Sequence, residues 1–207
     1  MNNNRVIIII GILFVCCFSC MLYLKNNNYD ATMTNMTLRQ TELNRNERDL
    51  YTLFDTGTTD LFDFMVDMNK INQVVLSVEK LDKDRWVLVE EFYAQINVPH
   101  NRIMINVDYT KGGRFSIGGF DEDGMSSTTS EDFELSESEF KIDETKTIII
   151  EPPYGVDTKI VKNKPIVLQL FYTGDELDND LIKAYDDTSK FADYENVMVV
   201  TATFLYN

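Results

Sequence analysis

Cysteine is absent from most of this chain. Among 207 residues there are three cysteines, and all of them, Cys16, Cys17 and Cys20, lie in one apolar run near the N-terminus. The rest of the chain, called the body below, therefore forms no disulfide bond and no thiolate metal site. The same absence excludes Cys–His catalysis from the body.

Histidine and basic residues are also scarce. The single histidine, His100, lies in a Pro–Asn turn and cannot form a multi-histidine zinc site. No serine stands in a nucleophile-elbow sequence, so a Ser–His–Asp triad has no support. Lys and Arg number 19 against 34 Asp and Glu, which gives a formal net charge of −15. Such a surface repels phosphate backbones, so we expect no nucleic-acid partner, whereas cationic partners and divalent metal ions stay open.

An uncharged apolar run extends from Val6 to Leu24, between Arg5 and Lys25. At about 1.5 Å per residue, a helix of this length is about long enough to cross the hydrocarbon core of a membrane. The preceding positive charge favours a cytoplasmic N-terminus. We interpret residues 1–25 as a retained signal anchor, which predicts a single-pass protein of the cell membrane with its body outside.

Two alternative interpretations of this segment stay open. A cleaved signal peptide would need small residues near its cut, and no Ala-x-Ala-like site follows the apolar core. A bacterial lipoprotein signal would lipidate Cys20, which follows the small Ser19, or Cys16, which stands three residues after Leu13. Both cysteines depart from the usual Leu-x-(small)-Cys pattern. All three interpretations place the body outside the cytoplasmic membrane.

The body consists mainly of strand-like runs. Residues 26–55 are polar, without a sustained apolar period, and we interpret them as a stalk. From residue 56 to 207, apolar residues alternate with polar ones and turns recur about every ten residues, which is typical of an antiparallel β-sandwich, immunoglobulin-like or similar. One short helical crossover is predicted at ELDNDLIKAYDDTSKFADY. The predicted strands are LFDFMVD, VVLSVEKL, WVLVEEFYAQI, RIMINVDY, RFSIGGF, TKTIIIE, PIVLQLFY and VMVVTATFLY.

Two stretches carry a family resemblance. One is LFDFMVDMNKINQVVLSVEKLDKDRWVLV, and the other is KPIVLQLFYTGDEL followed, after a variable segment, by FADYENVMVVTATF. Together they resemble uncharacterised membrane- or lipid-anchored surface proteins of Firmicutes, such as clostridia. A body without disulfides is normal among such proteins. The resemblance covers roughly residues 61–204 and implies an extracytoplasmic β-domain. It implies no activity and no functional residue.

Two acidic clusters are candidate calcium sites, because Ca²⁺ binds six to eight oxygen ligands. The first begins the run DEDGMSSTTSEDFELSESE, which we interpret as a long loop. It departs from an EF-hand loop, since Ser126 stands where glycine is required. The second lies in the Gly-Asp turn after the strand PIVLQLFY. The candidate ligands are Asp121, Asp123, Asp175, Asp178 and Asp180.

Other catalytic arrangements have little support. The adjacent Glu90 and Glu91 point to opposite faces of a strand, so they cannot form a glycosidase pair together. Trp86 begins an alternating apolar face and is expected to pack in the core. We therefore expect no resident cofactor and favour a non-enzymatic binding module of the cell envelope, with an envelope protein or a cell-wall ligand as its partner. A calcium-dependent ligand binder and a hydrolase are the alternatives.

Overall fold

The computed structural model describes residues 35–41, 58–108, 112–121, 124–134, 147–153 and 155–206. Within these ranges the chain is mainly β and forms two antiparallel sheets. In spatial order, the first sheet, sheet A, contains β7 (Gly124–Glu134), β6 (Gly112–Asp121), β5 (His100–Asp108), β2 (Thr58–Met65), β1 (Thr37–Thr41) and β9 (Thr158–Lys159). The second, sheet B, contains β4 (Arg85–Gln95), β3 (Gln73–Asp82), β11 (Glu195–Leu205), β10 (Pro165–Thr173) and β8 (Thr147–Ile150).

The two sheets pack face to face, as the alternating sequence predicts. Alternate residues of a strand point to opposite faces, and the larger buried apolar cluster draws side chains from both sheets. Phe62 and Phe64 from β2 meet Val74 and Phe204 from sheet B in one buried cluster. The rings of Phe64 and Phe204 contact edge to face, with centroids 5.1 Å apart. The prediction of a mainly β, sandwich-like body is confirmed.

The strand order differs from the immunoglobulin order. In immunoglobulin domains the last strand lies at the edge of its sheet. Here β11, the last strand of the described residues, lies inside sheet B between β3 and β10. Sequence periodicity cannot distinguish these arrangements, because it reports which face of a strand is buried and not which strand is its neighbour.

The predicted stalk contains a strand. β1 pairs with β2 on one side and with β9 on the other, and Leu38 is fully buried. The assignment of residues 26–55 to a polar stalk is therefore wrong for Thr37–Thr41. The error has a physical reason: a strand of five residues with one inward-facing leucine is too short to show a period. The rest of the predicted stalk lies outside the described residues.

The predicted acidic loop after Asp121 is largely a strand. Asp121 pairs with Gly124, so only residues 122 and 123 separate β6 from β7. β7 then continues to Glu134. Threonine favours strands, and this preference outweighs the polar composition of the run.

The predicted helical crossover is instead a pair of short 3₁₀ turns, Leu181–Lys183 and Thr188–Phe191. The segment packs on the outer face of sheet B, where Leu181 and Phe191 are buried. Trp86 holds it in place, since its ring stacks on Tyr185 at 5.4 Å and its Nε1 donates to the Tyr185 carbonyl at 2.9 Å. An interrupted apolar pattern with several aspartates gives short turns rather than a continuous α-helix.

The predicted anchor, residues 1–25, lies outside the described residues, as do Cys16 and Cys20. In the part of the chain that is described, no helix has both the length and the apolar character needed to cross a membrane.

Candidate functional site

Four polar side chains meet between the two sheets, where the neighbouring core is apolar. We call them the inter-sheet polar cluster: Gln40 from β1, Asp60 from β2, Glu151 directly after β8, and Gln169 from β10. Gln40, Asp60 and Gln169 are buried, while Glu151 is partly exposed. Two members belong to sheet A and two to strands or strand ends of sheet B, so the cluster joins the sheets.

Strand alternation explains why these side chains point inward. Asp60 lies on the same face of β2 as the buried Phe62 and Phe64, and Gln40 lies on the same face of β1 as the buried Leu38. Gln169 lies opposite Val200, which belongs to the core between the sheets. Directly opposed residues of neighbouring strands share a face, so Gln169 also points inward.

Hydrogen bonds connect the four members across the sheet interface. Gln169 Nε2 donates to Asp60 Oδ2. Gln40 Nε2 donates to Glu151 Oε2 at 2.7 Å and to Asp60 Oδ1 at 3.5 Å. Gln40 Nε2 therefore lies between the carboxyl groups of Asp60 and Glu151, which brings the two acids close together.

The environment of Asp60 favours its neutral form. The pKa of Asp60 is raised from 3.8 to about 7, chiefly by burial and then by the adjacent Glu151, while the amide groups of Gln169 and Gln40 act in the opposite direction. A buried carboxylate loses hydration, and two adjacent carboxylates repel each other. Asp60 therefore keeps its proton up to about pH 7 in the folded chain.

The two amide oxygens of the cluster are unsatisfied. Within the described residues, neither Gln40 Oε1 nor Gln169 Oε1 has a hydrogen-bond partner, although both are buried. A buried polar atom without a partner costs about 1–3 kcal/mol. The cluster therefore reduces stability in the core and is not explained by packing alone.

The sequence reasoning missed all four members, although β2 carried a signal. In TTDLFDFM, Asp60 occupies the same face as two phenylalanines, and a polar residue on an apolar face indicates a buried polar site. The inward orientation of Gln169 could not be predicted, because a bulge between Val167 and Gln169 shifts the alternation of inward and outward residues along β10. The position of Glu151 opposite Asp60 depends on the pairing of distant strands.

The predicted calcium ligands are not brought together in the residues that the structure describes. Asp178 Oδ1 accepts a hydrogen bond from the Asp180 amide at 3.0 Å, and Asp180 contacts Lys183 at 3.1 Å. Asp175 lies exposed in the preceding turn. Asp121 is the last residue of β6, and Asp123 lies outside the described ranges. In these ranges no three acidic, histidine or cysteine side chains form a group that could hold a metal ion, and calcium binding stays a prediction.

The remaining candidate residues all lie on β4 or β5. His100 is the first residue of β5 rather than a turn residue, and burial lowers its pKa. Trp86 packs against the 3₁₀ segment, as described above. Glu90 and Glu91 lie opposite Val78 and Ser77 and therefore on different faces of sheet B, as predicted.

A second feature of interest is the exposed edge of sheet B. Within the described residues, β4 pairs with β3 alone. Three of its apolar side chains are exposed, namely Val87 at 39%, Leu88 at 50% and Tyr93 at 55%; we call these three residues the β4 edge surface. Leu88 and Tyr93 lie opposite Glu79 and Val75, which places both on the outer face, whereas Val87 lies opposite Lys80 and projects from the other face of the strand.

A carboxylate lies beside this apolar surface. The hydroxyl of Tyr93 donates to Glu91 at 2.6 Å, and this bond raises the pKa of Tyr93. Glu91 lies on the same face as Leu88 and Tyr93, so the β4 edge surface combines apolar contact area with negative charge.

Comparison of the chain with known protein families, curated proteins and solved structures found no match.

Proposed function

We propose that this chain is a non-enzymatic binding module of the cell envelope, held at the membrane by its N-terminal segment, with the β4 edge surface as its binding site. The observation that supports this proposal is the exposure of Val87, Leu88 and Tyr93 on an edge strand. Exposed apolar side chains on both faces of an edge strand can contact the alternating side chains of an extended partner segment. An edge strand also offers backbone groups to which an extended partner segment can pair.

The charge of this region favours a basic partner. Glu90 and Glu91 are consecutive on β4, and the whole chain carries a net charge of −15. A second copy of β4 would bring the same carboxylates into opposition, which disfavours pairing of the protein with itself. An extended segment of an envelope protein with lysine or arginine beside apolar residues would complement the surface.

The geometry does not favour a hydrolase at the inter-sheet polar cluster. Asp60 has the raised pKa of a general acid, but it is only 5% exposed and lies between two packed sheets. A general acid must come within hydrogen-bond reach of its substrate. The sheets would have to separate before a substrate could contact Asp60.

Site-specific photo-cross-linking in the native host tests the binding proposal. A photoreactive amino acid replaces Leu88 in one variant and Leu177 in a control, because Leu177 is 61% exposed but lies outside the β4 edge surface. We expect one dominant protein to be captured from position 88 and not from position 177. Replacement of Tyr93 by lysine in the position-88 variant should reduce that capture.

Two results would contradict the proposal. Equal capture from positions 88 and 177 would mean that the β4 edge surface is not the binding site. Capture that is unaffected by Tyr93→Lys would mean that this surface contributes nothing to partner recognition. Circular dichroism of each purified variant should first show that the strand content is unchanged.

A further inference from the structure

The inter-sheet polar cluster connects a central strand to an edge strand. Asp60 lies on β2, which has β1 and β5 as neighbours on its two sides. Glu151 directly follows β8, a strand of four residues that pairs with β10 alone in the described part of the chain. The side of the cluster that carries Asp60 is therefore held firmly, and the side that carries Glu151 is the easier one to move.

The contacts between the two sides depend on one proton. When it is present on Asp60, that carboxyl is neutral beside Glu151, and Gln40 bridges both carboxyl groups. When it is lost, two carboxylates face each other in a buried site, where their repulsion is only weakly screened. Because Glu151 is partly exposed, its movement toward water is the cheapest way to relieve this repulsion.

We propose that the inter-sheet polar cluster is a proton-dependent clasp, in which Gln40 and the neutral Asp60 hold Glu151, and with it the end of β8, against sheet A, and loss of the Asp60 proton releases that end. The body is then tighter in mildly acidic surroundings than in alkaline ones. The clasp is independent of the β4 edge surface, so it can hold whether or not the proposed binding function does.

No other charged group described in the structure faces Asp60. Its neighbour on β5 is Ile105, and the side chains that reach it from β1 and β10 are the uncharged Gln40 and Gln169. The nearby ion pair of Arg39 and Asp157 belongs to the opposite face of β1, since Arg39 alternates with Gln40. Glu151 is therefore the partner whose charge determines the response.

Hydrogen exchange on the full chain tests this inference. The probe is the backbone amide protection of a peptide that covers Thr147–Ile150, measured by mass spectrometry at pH 6 and pH 8 and corrected for intrinsic exchange. We expect the protection of this peptide to fall about tenfold at pH 8, one pH unit above the pKa of Asp60 of about 7. A peptide from β3 should keep its protection, since that strand lies away from the clasp.

Variants separate the clasp from a general effect of charge. Asp60→Asn keeps a donor toward Glu151 and cannot titrate, so it should protect β8 equally at both pH values. Glu151→Gln removes the other carboxylate and should do the same, which keeps the test valid if one variant folds poorly. Asp175→Asn removes an exposed carboxylate elsewhere and should behave like the original chain.

Three outcomes would overturn the inference. The first is equal protection of β8 at pH 6 and pH 8 in the original chain. The second is a pH response in Asp60→Asn as large as in the original chain. The third is restoration of protection at pH 8 by millimolar calcium, which would make the cluster a cation site instead of a proton clasp.

Discussion

Two ion pairs in this protein have the same geometry and different surroundings. Arg102 contacts Asp63 through Nε at 2.5 Å and through Nη2 at 3.0 Å, and Arg114 contacts Asp132 with the same two distances. The side chains of the first pair are each 12% exposed, whereas those of the second are 55% and 67% exposed. Because the two pairs share their geometry, a difference between their coupling energies reports the effect of burial on a bidentate ion pair.

A double-mutant cycle at each pair should give different coupling energies. For Asp63→Asn with Arg102→Gln we expect a coupling of about 2 kcal/mol, because each single change leaves a poorly hydrated charge without its partner. For Asp132→Asn with Arg114→Gln we expect a coupling that urea denaturation does not distinguish from zero, because water screens the exposed pair. Equal couplings at the two pairs would contradict this explanation.

At the scale of the element, the sequence predicts which segments form strands but not which strands lie next to each other. The alternation in VVLSVEKL and RIMINVDY predicts two strands, and both occur, as β3 and β5. β1 was missed because its five residues carry a single core leucine. The inter-sheet polar cluster was missed because its members come from four separate segments, and only the pairing of β1 with β2 and of β8 with β10 brings them together.

The inclusion of β1 in the sheet can be tested by one substitution. Leu38→Ala should lower the free energy of unfolding by about 3 kcal/mol, since it leaves a cavity at a fully buried position. The control, Leu177→Ala, removes a side chain that is 61% exposed and should cost less than about 0.5 kcal/mol. Urea denaturation measures both. If residues 37–41 instead belonged to a stalk that does not contact the β-sandwich, the two variants would be equally stable.

At the scale of the whole molecule, two effects should make stability depend on pH. Asp60 keeps its proton up to about pH 7 in the folded chain, whereas it loses the proton near its ordinary pKa of 3.8 when unfolded. Between these values the folded state binds more protons, so the free energy of unfolding falls as pH rises, by at most about 1.4 kcal/mol per pH unit. The accumulation of negative charge, net −15 at pH 7, lowers stability in the same direction.

Salt should separate these two effects. In 0.5 M sodium chloride the Debye length is about 4 Å, so surface repulsion is largely screened, while the buried Asp60–Glu151 repulsion is screened much less. We expect the unfolding free energy of the original chain to keep a downward slope between pH 5 and pH 7 in high salt, and that of Asp60→Asn to lose most of it. Choline chloride in place of sodium chloride controls for specific cation binding. The same slope in both proteins would mean that Asp60 is not its source.

The central position of β11 has a consequence for how the body is made. β3 and β10 both depend on β11 as a neighbour, yet β11 follows them in the chain, far downstream of β3. During synthesis, the hairpin of β3 and β4 therefore emerges with one side of β3 lacking its partner and its apolar residues uncovered. Such an intermediate is prone to aggregate. Sheet B can close only when β11 has emerged, so the growing chain would gain from a holding chaperone until then.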